Sequence, residues 1–128
     1  MKEESSCTII NKTKGKLPRL PFVYIKEEIL GSNYDLSVGF VSAREQKSIN
    51  NKYRNIDKTT NILSFPLSKN SGEITFDLVK TKKDAPLFNM TTSAFLKYLF
   101  IHGCLHLKGY EHSDIMEREE RKFLNKFS

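Results

Sequence analysis

Every histidine of this chain lies within one segment of eleven residues, and this clustering limits the possible folds more than any other feature. His102, His106 and His112 stand in HGCLHLKGYEH, near the C-terminus. On a helix, residues four positions apart lie on one face, so His102 and His106 can bind the same ion. Gly109 permits the left-handed backbone that ends a helix, and the reversed chain can return His112 toward the other two. The spacing predicts a metal site at the end of a long helix.

Three imidazole ligands without a fourth protein ligand are typical of a catalytic zinc ion, which keeps one coordination position open for water. A structural zinc ion normally has four protein ligands. Cys104 is two residues from His102 and so lies on a different helix face, and we interpret it as a small buried core residue. We predict one Zn²⁺ per chain, with another transition metal such as Ni²⁺ as the alternative.

The offsets of the three histidines and Gly109 are those of the metzincin proteases, in which a glutamate general base follows the first histidine. Here Gly103 occupies that position, and glycine has no side chain to accept a proton. The difference disfavours a peptidase, although a metallohydrolase of another substrate such as a peptide stays open. A glycine at this position also allows another element to pack closely against the helix.

Hydrophobic periodicity predicts the remaining elements of the fold. Strands are predicted at 7–10, 36–40, 60–66 and 74–78, and helices at 22–30, 43–53, 91–107 and after 113. Gly31 ends the first helix, Pro66 ends the third strand, and Ser42 with Glu45 forms a capping box before the second helix. The last two strands form a predicted antiparallel hairpin. This order predicts an α+β fold with a small mixed sheet flanked by helices, in a single domain over 1–128.

Composition is that of a globular protein, with 38% hydrophobic and 28% charged residues. The net charge of +6 is compatible with polyanionic partners such as RNA or DNA, but charge alone favours an ordinary solvated surface. We see neither a signal peptide nor an apolar segment long enough to span a bilayer, so we expect a cytoplasmic location and no membrane partner.

The histidine segment resembles a signature of the YbeY family of bacterial RNA-processing metalloproteins, or rRNA maturation factors, H-G-x-L-H-L-x-G-Y-D-H. Residues 50–66 resemble a second signature of that family, N-x-x-Y-R-x-x-D-x-x-T-D-V-L-S-F-P, and residues 72–74 resemble its Gly-Asp-Ile turn. Glu111 and Asn61 stand where the family has aspartates, and Ile62 stands where it has valine. The likeness covers roughly the last two-thirds of the chain.

The resemblance implies a zinc-dependent, single-strand-specific endoribonuclease. It further implies a role in maturing the 3′ end of small-subunit (16S) ribosomal RNA and in ribosome quality control. The implied partners are single-stranded RNA and ribosome-associated proteins, and no DNA partner is expected. A non-catalytic alternative is an RNA- or ribosome-binding factor in which the metal is structural.

Three further residues are candidates for the site. The family pattern places Arg54 near the metal, where a guanidinium could bind the substrate phosphate and stabilise the transition state; the alternative is a helix C-terminal residue that complements the dipole. Glu111 is a candidate catalytic residue, as a proton acceptor or as an outer partner of a ligand imidazole, but it equally fits an exposed carboxylate. Ser64 either faces the cleft and contacts substrate or bonds to the backbone.

Overall fold

The computed structural model describes residues 7–111 and 113–128, and in them it shows an α+β fold with a four-stranded mixed sheet and five α-helices. The strands are β1 (Cys7–Asn11), β2 (Asp35–Val41), β3 (Ile62–Ser68) and β4 (Ser71–Asp77). The helices are α1 (Phe22–Leu30), α2 (Ala43–Arg54), α3 (Leu78–Asp84), α4 (Thr92–Lys108) and α5 (Asp114–Lys126), with a 3-10 helix at Ala85–Phe88. The predicted fold class is confirmed. No helix in the described part of the chain is long and apolar enough to cross a membrane.

The sheet has the order β1-β2-β4-β3, in which β1, β2 and β4 are parallel and β3 is antiparallel to β4. The predicted hairpin is therefore confirmed, although Gly72 to Ile74 lie inside β4 rather than in a turn. The prediction that Pro66 ends β3 is wrong, since the strand continues to Ser68. An edge strand tolerates proline because one row of its N–H groups is unpaired, and the register shifts between Pro66 and Ser68.

The core lies between one face of the sheet and the helices α1 and α4. Phe40 on β2 stacks on Phe76 on β4 with ring centroids 5.1 Å apart. Phe22 on α1 meets Phe100 on α4 edge to face at 5.0 Å, and all four rings are buried. Such aromatic pairs add to the stabilisation from apolar burial, and here they fix α4 on the sheet. The C-terminal half of α4 is therefore held in a defined position.

The short helix α3 was not predicted, because Leu78 appeared to continue the alternation of the preceding strand. Asp77 instead caps a helix, since its Oδ1 accepts a hydrogen bond from the backbone N–H of Lys80 at 3.1 Å. The strand therefore stops at Asp77, and the segment from Leu78 to Phe88 turns into helical structure.

Serine and threonine caps begin the three longest helices, and the one at Ser42 was predicted. The hydroxyl oxygens of Ser42, Thr91 and Ser113 accept hydrogen bonds from the backbone N–H groups of Glu45, Ala94 and Met116. The helix α2 packs on β4, where Gln46 Nε2 donates to the carbonyl oxygen of Thr75 at 3.0 Å. Because α2 is anchored in this way, its last residue, Arg54, is brought to the edge of the sheet near β3.

Candidate active site

His102 and His106 lie one turn apart near the C-terminal end of α4, and their side chains converge. The two Nε2 atoms are 3.1 Å apart, and the rings meet edge to face with centroids at 4.6 Å. Two imidazoles on one tetrahedral zinc ion have ligand nitrogens about 3.3 Å apart, given Zn–N bonds of about 2.05 Å. The separation in the structure fits a shared ion.

The third predicted ligand, His112, lies outside the described residues. In residues 7–111 and 113–128 there is no group of three His, Cys, Asp or Glu side chains that could hold a metal ion. The metal site predicted at the end of α4 is therefore not seen in the described structure, and what the structure supplies is a converging histidine pair.

A buried carboxylate contacts the first histidine on its other side. Glu120, which is 7% exposed, points its Oε2 at His102 Nδ1 in a close hydrogen bond. A carboxylate at Nδ1 fixes the orientation of an imidazole and directs its Nε2 to the other side, here toward His106. The carboxylate beside this imidazole thus comes from α5. Glu111 is exposed and is not among the described residues that line the cleft.

The sequence contained a signal for Glu120 that our prediction did not use. On α5 the apolar stripe includes Met116 and Phe123, which are buried. Glu120 lies four residues after Met116 and three before Phe123, so helical periodicity places this carboxylate on the buried stripe. Carboxylates are rarely buried without a partner, and a glutamate at such a position indicates one.

The histidine pair opens into a cleft of about 370 Å³ between α4, β3 and the end of α2. Its lining residues are Arg54, Ile62, Ser64, Pro66, His102, Gly103, His106 and Leu107. Arg54 and Ser64, both predicted site residues, therefore share one cavity with both described histidines. Ser64 also donates its hydroxyl hydrogen to the carbonyl oxygen of Gly103 at 3.1 Å, so its bond to the backbone is confirmed, whereas its contact with substrate stays a prediction.

Gly103 allows β3 and β4 to approach α4 closely, as the sequence predicted. A Cβ atom at this buried residue would lie 3.0 Å from Ile74 Cδ1 and 3.1 Å from Ile62 Cδ1, closer than ordinary van der Waals contact. Gly109 ends α4 with φ of 114°, and its N–H bonds to the carbonyl oxygens of Leu105 and His106. The first glycine is required for space and the second for backbone conformation.

Burial and negative charge act on the groups around the histidine pair. The ring of Tyr98 is 6.0 Å from that of His102, and burial, followed by the charges of Glu120 and Glu117, raises the pKa of Tyr98. Complete burial raises the pKa of the Cys104 thiol well above its ordinary value, so this thiol stays protonated at neutral pH. The prediction that Cys104 is a core residue is confirmed.

Comparisons with known proteins indicate the family to which this chain belongs. A family profile described as Endoribonuclease YbeY matches residues 7–128. The Endoribonuclease YbeY of Mycoplasmopsis synoviae is 37% identical over 99 residues, which are 70% of this chain and 64% of that protein. The Endoribonuclease YbeY of Clostridium botulinum strain Hall is 27% identical over 156 aligned positions, which cover 98% of this chain and 94% of that protein.

A solved structure has the same fold. The solution structure of a Thermotoga maritima protein superposes with a TM-score of 0.68 and 29% sequence identity, over 94% of this chain and 88% of that one. The family profile and the relatives it agrees with indicate an endoribonuclease-type protein. The chain belongs to the YbeY endoribonuclease family.

Proposed function

We propose that this protein is a metal-dependent, single-strand-specific endoribonuclease that acts in 3′-end maturation of 16S ribosomal RNA and in ribosome quality control. One observation carries the chemical part of the proposal: Arg54 lines the same cleft as the converging pair His102 and His106. A guanidinium beside two imidazoles suits a phosphodiester, whose cleavage builds negative charge on the phosphoryl oxygens. Family membership supports RNA as the substrate.

A metal ion is part of the proposal because the donor set fits one. His102, His106 and His112 would hold a single Zn²⁺, with Ni²⁺ as the alternative, and the 3.1 Å between the first two Nε2 atoms supports this assignment. Glu120 would keep His102 in the tautomer whose Nε2 lone pair is available. When bound, the ion supplies Lewis-acid stabilisation of a phosphoryl oxygen and lowers the pKa of water.

Arg54 binds and orients the scissile phosphate in this proposal. Its guanidinium can donate two parallel hydrogen bonds to non-bridging oxygens, which both fixes the phosphate and stabilises the charge that develops there. Arg54 also lies in the last turn of α2, where a positive charge complements the helix dipole. The two roles are compatible, because Arg54 is both the last residue of α2 and a lining residue of the cleft.

Two further assignments complete the proposed machinery. Ser64 lines the cleft and would contact the substrate while its hydroxyl holds the carbonyl oxygen of Gly103. Glu111 directly precedes His112 in the sequence and would exchange a proton with the substrate or with solvent. The proposed partners are single-stranded small-subunit ribosomal RNA and ribosome-associated proteins.

Cleavage of a labelled single-stranded RNA, beside a duplex of the same sequence, tests the proposal. The proteins compared are the native chain, the chelator-treated chain, His106→Ala and a surface control, Lys122→Ala, all purified identically. We expect the native chain and the control to cut the single strand and spare the duplex. Chelation and His106→Ala should each reduce the cleavage rate by at least about 100-fold.

Each other outcome has a defined meaning. Equal cutting by all four samples indicates contaminating ribonuclease and removes support for the activity. No cutting by a metal-loaded native chain that still binds RNA would contradict the nuclease proposal. That result would favour an RNA- or ribosome-binding factor with a structural metal.

A further inference from the structure

A second cavity, of about 570 Å³, lies at the carboxyl ends of the parallel strands and shares no lining residue with the cleft. We call it the basic pocket and define it by Lys12, Lys14, Lys16 and Lys82 with the apolar residues Val41 and Leu78. The first three lysines lie on the segment after β1, whereas Val41 ends β2 and Leu78 follows β4. Open α/β sheets commonly bind ligands at this edge, where chain segments diverge.

The charge of the basic pocket suits an anion. Lys12 Nζ is 3.1 Å from Glu45 Oε2, but Lys14, Lys16 and Lys82 have no carboxylate within 4.0 Å among residues 7–111 and 113–128. The N-terminus of α2, which also lines the pocket, adds a partial positive charge. Three ammonium groups around one cavity therefore lack a described acidic partner.

One carboxylate also lines the basic pocket, and it is already engaged. Asp77 is only 2% exposed, and its two oxygens accept hydrogen bonds from Thr59 Oγ1 at 2.9 Å and from the Lys80 N–H at 3.1 Å. These bonds stabilise the charge of Asp77 locally, so the lysines dominate the electrostatic potential in the pocket. The pocket therefore attracts an anion despite Asp77.

The apolar residues distinguish the ligand from a simple inorganic ion. Val79, which is 64% exposed, joins Val41 and Leu78 in the pocket wall. An inorganic phosphate would leave this apolar surface in contact with water. A nucleotide combines a phosphate for the lysines with a flat apolar base for the valines and the leucine.

We propose that the basic pocket binds backbone phosphates of single-stranded RNA, with one nucleoside against its apolar wall. The inference rests on the proposed function for the identity of its ligand. Ser42, at the start of α2, lines the basic pocket, whereas Arg54, at its end, lines the cleft. The 12 residues of α2 place these ends about 18 Å apart. An RNA that occupies both cavities must therefore span several nucleotides.

RNA binding without cleavage provides the test. Three chelator-treated proteins are compared: the native chain, Lys14→Ala/Lys82→Ala, and the charge-matched control Lys47→Ala/Lys122→Ala. Each is titrated over a salt series with a fluorescent single strand of about 12 nucleotides and with a trinucleotide. We expect the Lys14/Lys82 variant to bind the longer RNA roughly tenfold more weakly. The slope of log affinity against log salt should become less steep by about 1.4, for two lost phosphate contacts. Because a trinucleotide is too short to occupy both cavities and can bind in the cleft alone, its affinity should fall less than that of the longer RNA.

Equal affinities and salt slopes for the two double variants would overturn the inference, because only net charge would then matter. Backbone amide NMR signals of Ala43 and Val79 provide a second readout. They should shift with the longer RNA, and the RNA should displace any adenosine 5′-monophosphate that shifts them. A shift with the mononucleotide that RNA cannot displace would overturn the inference in favour of a free nucleotide. If the native chain binds RNA in the pocket but never cuts it, the proposed function fails and this inference stands.

Discussion

The cleft and the basic pocket lie at the two ends of α2, and they are constructed in different ways. In the cleft, side chains from regular elements hold one another: Glu120 contacts His102, and Ser64 bonds to the backbone of α4. In the basic pocket, most of the charge comes from Lys12, Lys14 and Lys16 on an irregular segment. The cleft therefore has fixed geometry, whereas the basic pocket has positive charge on flexible side chains.

This difference separates two tasks. Stabilising a transition state requires groups that are already in position, because reorientation during the reaction reduces their effect. Attracting a flexible polyanion requires only charge near its backbone, which lysine supplies without fixed geometry. We therefore expect cleft variants to change the rate of cleavage and pocket variants to change affinity.

The largest difference between the effect on cleavage rate and the effect on RNA affinity is expected for Arg54→Ala. The guanidinium would no longer donate two hydrogen bonds to the phosphate. This loss should lower kcat by about 100- to 1,000-fold and reduce RNA affinity by less than about tenfold. Single-turnover cleavage and equilibrium binding of the same single-stranded RNA measure the two effects. Arg54→Lys is the matched control, since it retains the charge and loses the fork geometry.

Compared with Arg54→Ala, Arg54→Lys should restore the RNA affinity of the native chain but only a small part of its cleavage rate. Full recovery of the rate by lysine would show that Arg54 acts as a simple charge. The cleft would then act through charge at Arg54, as the basic pocket does, and fixed geometry would no longer distinguish the two cavities.

A smaller effect is expected for Glu120→Gln, which tests whether the cleft depends on support from α5. Glutamine removes the negative charge behind His102, and the affinity for Zn²⁺ should fall by about 10- to 100-fold. Competition against a metal chelator measures this change. Because the Glu120 charge contributes to the raised pKa of Tyr98, the same variant should lower that pKa.

The neighbouring substitution Glu119→Gln provides the control. Glu119 pairs with Lys122 at 3.4 Å on the surface of α5, and surface pairs contribute little to stability. It should leave both the zinc affinity and the pKa of Tyr98 unchanged. Equal zinc affinities for the two variants would remove Glu120 from the proposed site.

Local patterns predicted the parts of this molecule that depend on local chemistry. The helix at 22–30 agrees with α1 because apolar spacing and Gly31 act within a few residues. The predicted strand at Leu78 was wrong because alternation and an Asp77 cap compete at the same position, and the cap determined the structure. The side-chain amide of Asn61 donates a hydrogen bond to Asp84 of α3, and this contact was not predictable because the prediction lacked that helix.

Long-range contacts at the site were harder to predict for a related reason. The i, i+4 spacing of His102 and His106 is local, and their convergence follows from helix geometry. The contact between Glu120 and His102 joins two helices whose relative position depends on packing across 18 residues of sequence. Helical periodicity could identify Glu120 as buried, but only the tertiary structure shows that His102 is its partner.

The smallest effects are expected at the two glycines of α4, which test how tightly the cleft is built. Gly103→Ala should destabilise the fold by about 1 kcal/mol, because crowding Ile62 and Ile74 outweighs the usual helix gain of alanine. Gly109→Ala should cost about 1 kcal/mol for a different reason, since its φ of 114° strains any residue with a Cβ although no atom lies within 4 Å. Denaturant unfolding measures both changes.

Asparagine distinguishes these two causes. It tolerates left-handed backbone, so Gly109→Asn should be milder than Gly109→Ala. At position 103 the larger side chain has to enter the contact between α4 and the hairpin, so Gly103→Asn should be far more harmful than Gly103→Ala. If asparagine and alanine rank the same way at both positions, a single mechanism operates at the two glycines. Close packing at Gly103 would then not be what holds α4 against β3 beside the cleft.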